Sequence, residues 1–295
     1  MRADTAVIIV NYHSWEMLCR CVQSLKDHLG RPVYIIVVDN SEESECDEIR
    51  ARYSDLELIR VKENRGFAAG CNAGLRRALE CEVDYILLLN PDTWLESDFL
   101  HSLLTVFAHD SRIGAAGPKI LSPHLPGGIW NGGGQLNWFA GGTRKIVTEQ
   151  SDGVSEVSFL SGCALLLRAE AVREAGFMAE EYFLYFEDTD YLQRLSRAGY
   201  KTVYVPRAEV LHEGSKTVGF QSSRYVYYFS RNRIWFMRRW ARWYQLLIFM
   251  LYDTFVKLPG AVIVFGLRQK KPALAWAYFK GFLHGISGRM GRLGF

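Results

Sequence analysis

YILLLNPD, residues 85–92, is the stretch of sequence that decides the fold. Its four consecutive apolar residues, 86–89, are too few for the core of a helix and too continuous for a strand with one exposed face. They predict a strand buried on both faces, as in the middle of a parallel sheet. Pro91 has no N–H to donate to a neighbouring strand, so the strand ends there and leaves Asp92 at its carboxyl end. Open α/β sheets bind ligands just beyond that edge, although a plain turn capped by Asp92 or Thr93 would use the same residues.

Similar apolar runs occur on both sides of this stretch. AVIIV (6–10), YIIVV (34–38) and LELIRV (56–61) precede it, and IGAAG (113–117) follows it, with helical segments between them. Regular alternation of buried strands and helices predicts one parallel sheet with helices on both faces.

Three of these strands end in polar side chains, at Asn11, Asp39 and Asp92. Right-handed crossovers bring the three ends to one side of the sheet, so the two acids can converge on one ligand. The glycine-rich segment from Asn64 to Gly74 opens the helix after the third strand. Glycines there allow close backbone approach, and a helix N-terminus favours an anion. One acid at a strand end is commonly a helix cap, but two acids beside a glycine-rich helix start favour a shared binding site.

A dinucleotide-binding domain is the obvious alternative for such a sheet. Its GxGxxG belongs in the first strand-to-helix turn, and that turn here is NYHS, residues 11–14, without a glycine. A sugar nucleotidyltransferase would need a glycine-rich, basic loop at the same place and is disfavoured for the same reason. A non-catalytic membrane scaffold is a third alternative, and the retained acids speak against it.

A second group of acids follows an aromatic run in the second half of the chain. YFLYF, residues 182–186, is predicted to be a strand, and it leads into EDTD, residues 187–190. Asp188 or the threonine after it is predicted to cap a helix over 191–197. If Glu187 and Asp188 face a cleft, burial raises the pKa of one of them and suits it to accept a proton. Capping and compensation of the helix dipole are the structural alternative.

Two further features bear on the same edge. Residues 201–205 are predicted to form a strand that Pro206 ends, and His212 follows it, either as a metal ligand or as an ordinary histidine. Residues 118–153 mix glycines with Trp130 and Trp138. That composition is typical of a loop that covers carbohydrate, and equally of an irregular hairpin.

Taken together, seven motifs resemble those of one enzyme family. In order they are VNY (10–12), VVDNS (37–41), ENRGFAAGCNAG (63–74), LLLNPD (87–92), FLSGCALLLR (159–168), YFLYFEDTDYLQRLSRAGYKTVYVP (182–206) and HEGSKT (212–217). In this order and spacing they resemble the inverting glycosyltransferases of family 2, over about residues 5–220. The NRGFAAGxN and NPD forms look most like the rhamnosyltransferase-type members. The resemblance implies a GT-A catalytic domain at 1–223, with a mostly parallel sheet and helices on both faces, followed by a basic amphipathic helical region at 224–295.

The resemblance also implies roles for individual residues. Asn11, Tyr12 and Asp39 would hold the base and ribose of the nucleotide, with Arg65, Gly66 and Asn90 beside it. Asp92 would be the last acid of the DxD-type motif, which binds a divalent metal on the diphosphate. The first acid of that motif is replaced here by Asn90, so Asp92 needs a second ligand, and His212 matches a metal-binding histidine of some relatives. Glu187 and Asp188 match the acidic pair whose second member is the usual general base.

These roles define a reaction. The resemblance implies a nucleotide-sugar donor, with dTDP-L-rhamnose the best guess and UDP- or GDP-sugars the alternatives. Mg²⁺ or Mn²⁺ would neutralise the leaving diphosphate, since oxygen ligands suit Mg²⁺ and an imidazole shifts the preference toward Mn²⁺. Asp188 would take the proton of an acceptor hydroxyl, whose oxygen displaces the nucleotide in one step with inversion.

The end of the chain differs from the body in charge. Residues 224–295 hold 13 Lys or Arg and one acid, a net charge of +12, which leaves −9 for residues 1–223 out of the total of +3. Arg and aromatic residues interleave from 225 to 244, which is typical of a helix in a membrane interface. Residues 246–266 are apolar and nearly long enough to span, but Asp253, Lys257, Pro259 and Gly260 interrupt them and predict interfacial or re-entrant helices.

This tail predicts the partners of the protein. An anionic membrane surface fits both its charge and its apolar stretch, whereas nucleic acid has no use for the apolar residues. Packing on the body or on a second subunit, as in a homo-oligomer, is the structural alternative. The N-terminus has no signal-peptide h-region, so we expect the chain at the cytoplasmic face of the plasma (inner) membrane as a peripheral protein. A polyprenyl-diphosphate-linked saccharide is then the expected acceptor.

Overall fold

The structure is a computed structural model that describes residues 3–41, 46–125, 128–146, 153–214 and 222–293. The strands are β1 Thr5–Asn11, β2 Tyr34–Asp39, β3 Glu57–Arg60, β4 Tyr85–Leu89, β5 Thr93–Trp94, β6 Ile113–Leu121, β7 Ile129–Asn131, β8 Gly134–Asn137, β9 Gly142–Lys145, β10 Ser155–Glu156, β11 Ala164–Arg168 and β12 Lys201–His212. The helices are α1 Trp15–His28, α2 Cys46–Arg52, α3 Phe67–Glu80, α4 Phe99–His109, α5 Ala169–Ala175, α6 Glu187–Arg197, α7 Ser223–Trp240, α8 Trp243–Tyr252, α9 Leu258–Ala261 and α10 Pro272–Ser287, with a 3₁₀ turn at Glu180–Tyr182.

The central sheet is mostly parallel, as the sequence predicted. Its strand order is β3-β2-β1-β4-β11-β6-β12-β10. β1 pairs in parallel with β2 and β4, and β6 pairs in parallel with β12. β11 lies antiparallel between β4 and β6, and it joins the two parallel halves.

Each face of the sheet is covered by helices. Leu87 and Leu89 of β4 pack with α1 and α4 on one face, whereas Ile86 and Leu88 pack with α3 and α6 on the other. Side chains alternate between the faces of a strand, so a strand covered on both sides needs the continuous apolar run that β4 has. The prediction of a doubly buried strand at 85–89 is confirmed.

The carboxyl ends of the parallel strands meet at one edge, also as predicted. Asn11 and Asp39 are direct neighbours in the register of β1 and β2. β4 ends beside them at Leu89, so the turn that carries Asn90 and Asp92 starts at the same edge.

The aromatic run at 182–186 is not the strand that was predicted. After the 3₁₀ turn, Phe183, Tyr185 and Phe186 have φ angles of 65°, 70° and 73°. Left-handed backbone is costly for aromatic residues, so neighbouring segments must hold it in place. Helix α6 accordingly begins at Glu187, capped by Phe186 rather than by Asp188 as predicted.

Strand β12 runs past Pro206, where the predicted strand stopped. The pairing with β6 shifts register between Val205 and Glu209. A proline is tolerated at such an irregularity because no ladder hydrogen bond is required of it. The extension carries His212 into a pairing with Thr93 of β5.

The glycine-rich segment after β6 contains an irregular hairpin, which was one of its two interpretations. β8 and β9 pair antiparallel. Trp138 stacks on Phe236 of α7, with ring centroids 5.8 Å apart, whereas Phe139 is exposed. Residues 126–127 and 147–152 of the segment lie outside the described residues.

The C-terminal helices pack closely on the rest of the chain. Tyr182 and Phe186 share a hydrophobic cluster with Ile234, Phe236 and Phe249 of the tail. The boundary predicted at 223 coincides with the start of α7, and the division into two domains stays a prediction.

Two of the five arginines of helix α7 do not face a membrane as expected. Arg231, Asn232 and Arg233 are all buried. Arg233 pairs with buried Asp253, so the acid that was expected to interrupt the apolar stretch is neutralised inside the protein.

The segment after α7 forms one continuous helical stretch rather than short re-entrant helices. It runs from Trp243 to Arg268 through π-helical turns at Asp253–Lys257 and Val262–Arg268. By length and composition, it is the one helix of the described residues able to cross a membrane. Most of its apolar side chains are exposed, with Trp243, Phe255 and Leu267 each more than 70 % exposed.

Candidate active site

The edge formed by β1 and β2 presents the predicted nucleotide residues. Asp39 is buried, and its Oδ1 accepts a hydrogen bond from the Ser41 N–H at 3.0 Å. Asn11 is fully buried, and its Oδ1 accepts from the Ser14 N–H at 3.3 Å. The Nδ2 of Asn11 has no hydrogen-bond partner in the part of the chain that the structure describes. A buried donor without a partner is costly, so this amide is suited to bind an acceptor atom of a ligand. Tyr12 follows at the same edge, half-buried.

Gly66 lies where only a glycine fits. Its φ of 100° is disfavoured for other residues, and a Cβ there would lie 2.2 Å from the Phe183 carbonyl oxygen. Around it, Asn40 Nδ2 donates to the Gly66 carbonyl at 3.1 Å, and the next N–H, of Phe67, donates to Phe183 O at 2.8 Å. The start of α3 is thereby bound to both β2 and the aromatic turn. Arg65 is largely exposed and pairs with Glu180 at 3.0 Å, so it lies at the solvent-facing side of the contacts around Gly66.

We expect Gly66→Ala to reduce both stability and donor binding. Left-handed strain costs roughly 1–3 kcal/mol, and the clash with Phe183 adds to it. Gly176→Ala is the matched control, since Gly176 has a φ of 77° and a methyl group added there would meet no atom within 4 Å. Urea unfolding and nucleotide titration of both variants check this. Equal losses of stability in the two variants, with donor binding intact, would contradict the role of the contact.

Asp92 and His212 meet at the same edge, as a metal site requires. His212 Nε2 lies 3.2 Å from Asp92 Oδ2, and the Glu213 N–H donates to Asp92 O at 3.0 Å. Trp130 covers the imidazole, with ring centroids 4.6 Å apart. Burial lowers the pKa of His212, but Cys163 and Asp92 outweigh it and raise that pKa to about 11. The imidazole therefore carries a proton at neutral pH, and a metal ion bound at Nε2 would replace that proton.

These two residues fit a divalent metal as a pair of protein ligands. A carboxylate oxygen and an imidazole nitrogen converge, and the other ring nitrogen, Nδ1, is buried with no partner among the described residues. Within the described ranges no group of three or more His, Cys, Asp or Glu forms a complete cage. Asp92 and His212 would hold the metal against oxygens of the donor diphosphate, which is the arrangement expected for Mg²⁺ or Mn²⁺ in a substrate complex.

The two acids at the start of α6 have different surroundings. Asp188 is held by three donors: the Gly162 N–H at 3.0 Å, the Thr189 N–H at 2.6 Å and the Thr189 hydroxyl at 3.1 Å. Its pKa is raised by burial, against these hydrogen bonds. Glu187 Oε2 has no partner in the described part of the chain, and burial together with Asp188 raises the pKa of Glu187 to about 8. At neutral pH, Glu187 is therefore mostly protonated and Asp188 is the better candidate for the base.

The acids and the metal ligands belong to one site. Gly162 donates to Asp188, and the next residue, Cys163, accepts from the Asn90 N–H at 2.8 Å. Two adjacent residues thus bind the start of α6 and the turn after β4. The partial exposure of Asn90 leaves its side chain available at this edge.

Three residues that hold the site were not predicted. Asn232 of α7 donates to the carbonyls of Tyr182, Leu184 and Tyr185 at 2.7–3.0 Å, and Arg231 donates to Tyr182 at 2.7 Å. These bonds hold the left-handed turn before Glu187.

The third is Asp190. It accepts from Tyr182, from Arg194 and from Trp240 of α7, at 2.7–3.0 Å. For Arg231 and Asn232, the sequence signal that could have been used was the occurrence of polar residues in the middle of the aromatic-rich helix α7. Such residues need hydrogen-bond partners when they are buried.

The fold and site define a class: an α/β protein whose mostly parallel sheet brings an Asp–His pair and buried polar side chains to its carboxyl edge. Residues 3–243 match the family model for glycosyltransferase-like family 2, and the chain belongs to that family of glycosyltransferases.

Three relatives are informative. The N-acetylglucosaminyl-diphospho-decaprenol L-rhamnosyltransferase of Mycobacterium tuberculosis is 28% identical over 273 residues, which cover 80% of this chain and 87% of that protein. The dTDP-rhamnosyl transferase RfbF of Shigella flexneri is 26% identical over 227 residues, 74% and 72% of the two chains. The crystal structure of GalNAc-T7 with UDP, GalNAc and Mn²⁺ superposes with a TM-score of 0.68 at 16% identity, over 97% of this chain and 56% of that one. That likeness confirms the GT-A fold.

Proposed function

We propose that this glycosyltransferase moves L-rhamnose from dTDP-L-rhamnose to a polyprenyl-diphosphate-linked saccharide, with inversion, in cell-surface polysaccharide synthesis. The observation that carries the proposal is the link through Gly162 and Cys163, which joins Asp188 to the turn bearing Asn90 and Asp92. The proposed base and the proposed diphosphate site are then linked through two adjacent residues, which is consistent with displacement at an anomeric carbon. The name of the Mycobacterium tuberculosis relative supports both rhamnose and a lipid-linked acceptor. The name of the Shigella flexneri relative supports dTDP-rhamnose as the donor.

Each part of the site has a task in this reaction. Asn11, Tyr12 and Asp39 bind the nucleoside, and the Gly66 backbone lies beside it. Asp92 and His212 would hold a divalent metal, which would supply positive charge to the leaving diphosphate.

Asp188 performs the proton transfer. Its carboxylate orients the acceptor hydroxyl and takes the proton as the oxygen bonds to the anomeric carbon and the bond to the nucleotide diphosphate breaks. The orientation of Asp188 is fixed by two donors on Oδ1 and one on Oδ2, which leaves one lone pair of Oδ2 for that hydroxyl.

Transfer assays with several donors test the proposal. The purified chain, Mn²⁺ and N-acetylglucosaminyl-diphospho-polyprenol in vesicles are incubated in turn with dTDP-L-rhamnose, UDP-N-acetylglucosamine and GDP-mannose. We expect sugar to enter the lipid fraction from dTDP-L-rhamnose alone. Transfer from another donor would overturn the rhamnose assignment, and no turnover of any nucleotide sugar would overturn the catalytic one.

We also propose that the chain binds the cytoplasmic membrane surface peripherally through the Trp243–Arg268 helix and α10. The exposed apolar side chains include Phe255 and Leu267 on the first helix and Trp276 on the second. Lys257, Arg268, Lys270 and Lys271 border them in sequence. Apolar side chains flanked by cations are suited to anionic bilayers.

Replacing Phe255 and Leu267 by Asp is expected to reduce vesicle binding at least about 10²-fold, since each loses about 1.5–3 kcal/mol of apolar burial. Co-sedimentation with phosphatidylglycerol vesicles measures it. Leu125→Asp with Phe139→Asp is the control, because both side chains are exposed on the other part of the chain. Equal losses in the two double variants would contradict the proposal. Dimerisation that only the first pair abolishes would assign the face to a second copy instead.

A further inference from the structure

A cationic cavity lies between α7, α10 and the segment after α10. Its volume is about 220 Å³, against about 30 Å³ for one water, so a group of several atoms fits. Its lining residues are Tyr227, Arg231, Lys280, His284, Arg289, Met290, Gly291, Arg292 and Leu293. Four of these described residues are Lys or Arg and none is an acid. We call it the tail cavity.

Arg231 is buried on the wall of the tail cavity, without a carboxylate partner among the described residues. Its guanidinium donates to Asn232 Oδ1 at 2.8 Å and to the carbonyls of Gly291 and Tyr182, each at 2.7 Å. The neighbouring Arg233 is also buried, but it pairs with Asp253. Burying a charge without a counter-ion is expensive. Of the two arginines, only Arg231 has no carboxylate partner within residues 3–293 as far as the structure describes them.

The lysine and arginine side chains that line the tail cavity create a positive potential at His284. Burial lowers the pKa of His284, and Arg289, Lys280 and Arg231 lower it further. The Tyr227 hydroxyl lies 2.7 Å from His284 Nδ1. The histidine therefore lies in a positive field, and an anion in the cavity would be attracted by the surrounding cations together.

The tail cavity lies between the 3₁₀ turn at Glu180–Tyr182 and the exposed apolar surface. On one side, Arg231 binds Tyr182 and the Gly291 N–H donates to Glu181 O at 2.9 Å. On the other, Lys280 lies one helical turn from Trp276 and less than one turn from Leu283, both exposed. A lipid headgroup held there would have apolar protein surface on one side and, on the other, the turn that leads to Glu187 and Asp188.

We propose that the tail cavity binds the diphosphate of the lipid-linked acceptor. This deepens the proposed function and rests on it. Guanidinium and ammonium groups make charge-assisted hydrogen bonds to phosphate oxygens, and the headgroup anion supplies the counter-ion that Arg231 lacks.

Lys280→Gln with Arg289→Gln tests the proposal, and Arg173→Gln with Arg207→Gln is the matched control. Both pairs remove two positive charges, and the control arginines are exposed, lie outside the tail and do not line the cavity. Farnesyl diphosphate, farnesol, inorganic diphosphate and phosphatidylglycerol vesicles are the probes. We expect the cavity pair to weaken farnesyl diphosphate binding at least tenfold and to raise the KM for the lipid-linked acceptor, with donor KM unchanged and the control pair near wild type.

Four outcomes would overturn the assignment. Equal weakening by the control pair would show that the effect comes from general surface charge. Farnesol binding as tightly as farnesyl diphosphate would show that the diphosphate is not recognised. Inorganic diphosphate binding as tightly as farnesyl diphosphate would assign the cavity to a free anion. Selective loss of phosphatidylglycerol binding alone would assign it to a phospholipid headgroup.

The binding and transfer results separate this proposal from the proposed function. If farnesyl diphosphate binding depends on Lys280 and Arg289 but no sugar reaches any lipid, the cavity stands and the function fails. If transfer proceeds with wild-type acceptor KM in the cavity variant, the function stands and the cavity fails.

Discussion

Asp188→Asn is expected to lower the rate of sugar transfer about 10²–10⁴-fold, the usual contribution of a general base, while nucleotide-sugar binding survives. The amide keeps the volume of the carboxylate, and its oxygen still accepts from Thr189. It has no basic lone pair to take the acceptor proton. Its NH₂ group also cannot accept from the Gly162 N–H, which costs about 1 kcal/mol of stability. Initial rates with saturating donor and calorimetric donor titrations measure the two effects.

Glu187→Gln is the matched control for this result. The raised pKa of about 8 means that Glu187 already carries its proton at pH 7, and glutamine resembles that neutral form. We expect a rate within about tenfold of wild type, less than the full effect of a lost base. A large loss in Glu187→Gln with a small one in Asp188→Asn would transfer the role of base to Glu187.

His212→Ala and Asp92→Ala are each expected to reduce transfer by about 10²-fold or more, because a metal supplies several kcal/mol of charge stabilisation to a leaving diphosphate. With only these two protein ligands on the described edge, removing one leaves a single ligand. Turnover should also stop on chelation and return with Mn²⁺ or Mg²⁺ in the wild type. Rates across a Mn²⁺ titration, together with metal-dependent donor binding, measure the effect.

His124→Ala provides the control for the metal site. His124 Nε2 lies 3.2 Å from Glu213 Oε1, the same separation as between His212 and Asp92, but its side chain is exposed. Its removal should leave both rate and metal dependence unchanged. Full activity of His212→Ala in the presence of a chelator would show that catalysis needs no metal at this site.

The positions of four predicted site residues could be inferred from local sequence patterns together with the pairing of the strands. Asn11, Asp39, Asn90 and Asp92 were placed correctly because each follows a buried strand of one parallel sheet. Parallel pairing with right-handed connections leaves little freedom for where such ends lie.

The aromatic run at 182–186 shows why other predictions were wrong. Its composition favours a strand, but hydrogen bonds from Asn232 and Arg231 hold it in a left-handed turn. Those donors bind backbone carbonyls, which are identical in every residue, so nothing in the run itself indicates the contact. The same holds for α7, where Arg231 and Arg233 were assigned to a membrane from their spacing and are buried instead.

By itself, the sequence determined the buried parallel strands, the polar residues at their carboxyl ends and the family motifs, because these depend on periodicity and short-range patterns. YILLLNPD forms the strand and rim turn that its apolar run and proline dictate. Only the tertiary structure decided that a bulge at Pro206 brings His212 to Asp92, that α7 holds the turn before Glu187 and Asp188, and that Arg231 is buried without a carboxylate partner in the described chain. These arrangements depend on which segments distant in the sequence pack together. The packing free energy that selects them comes from contacts throughout the core and cannot be inferred from any single stretch of sequence.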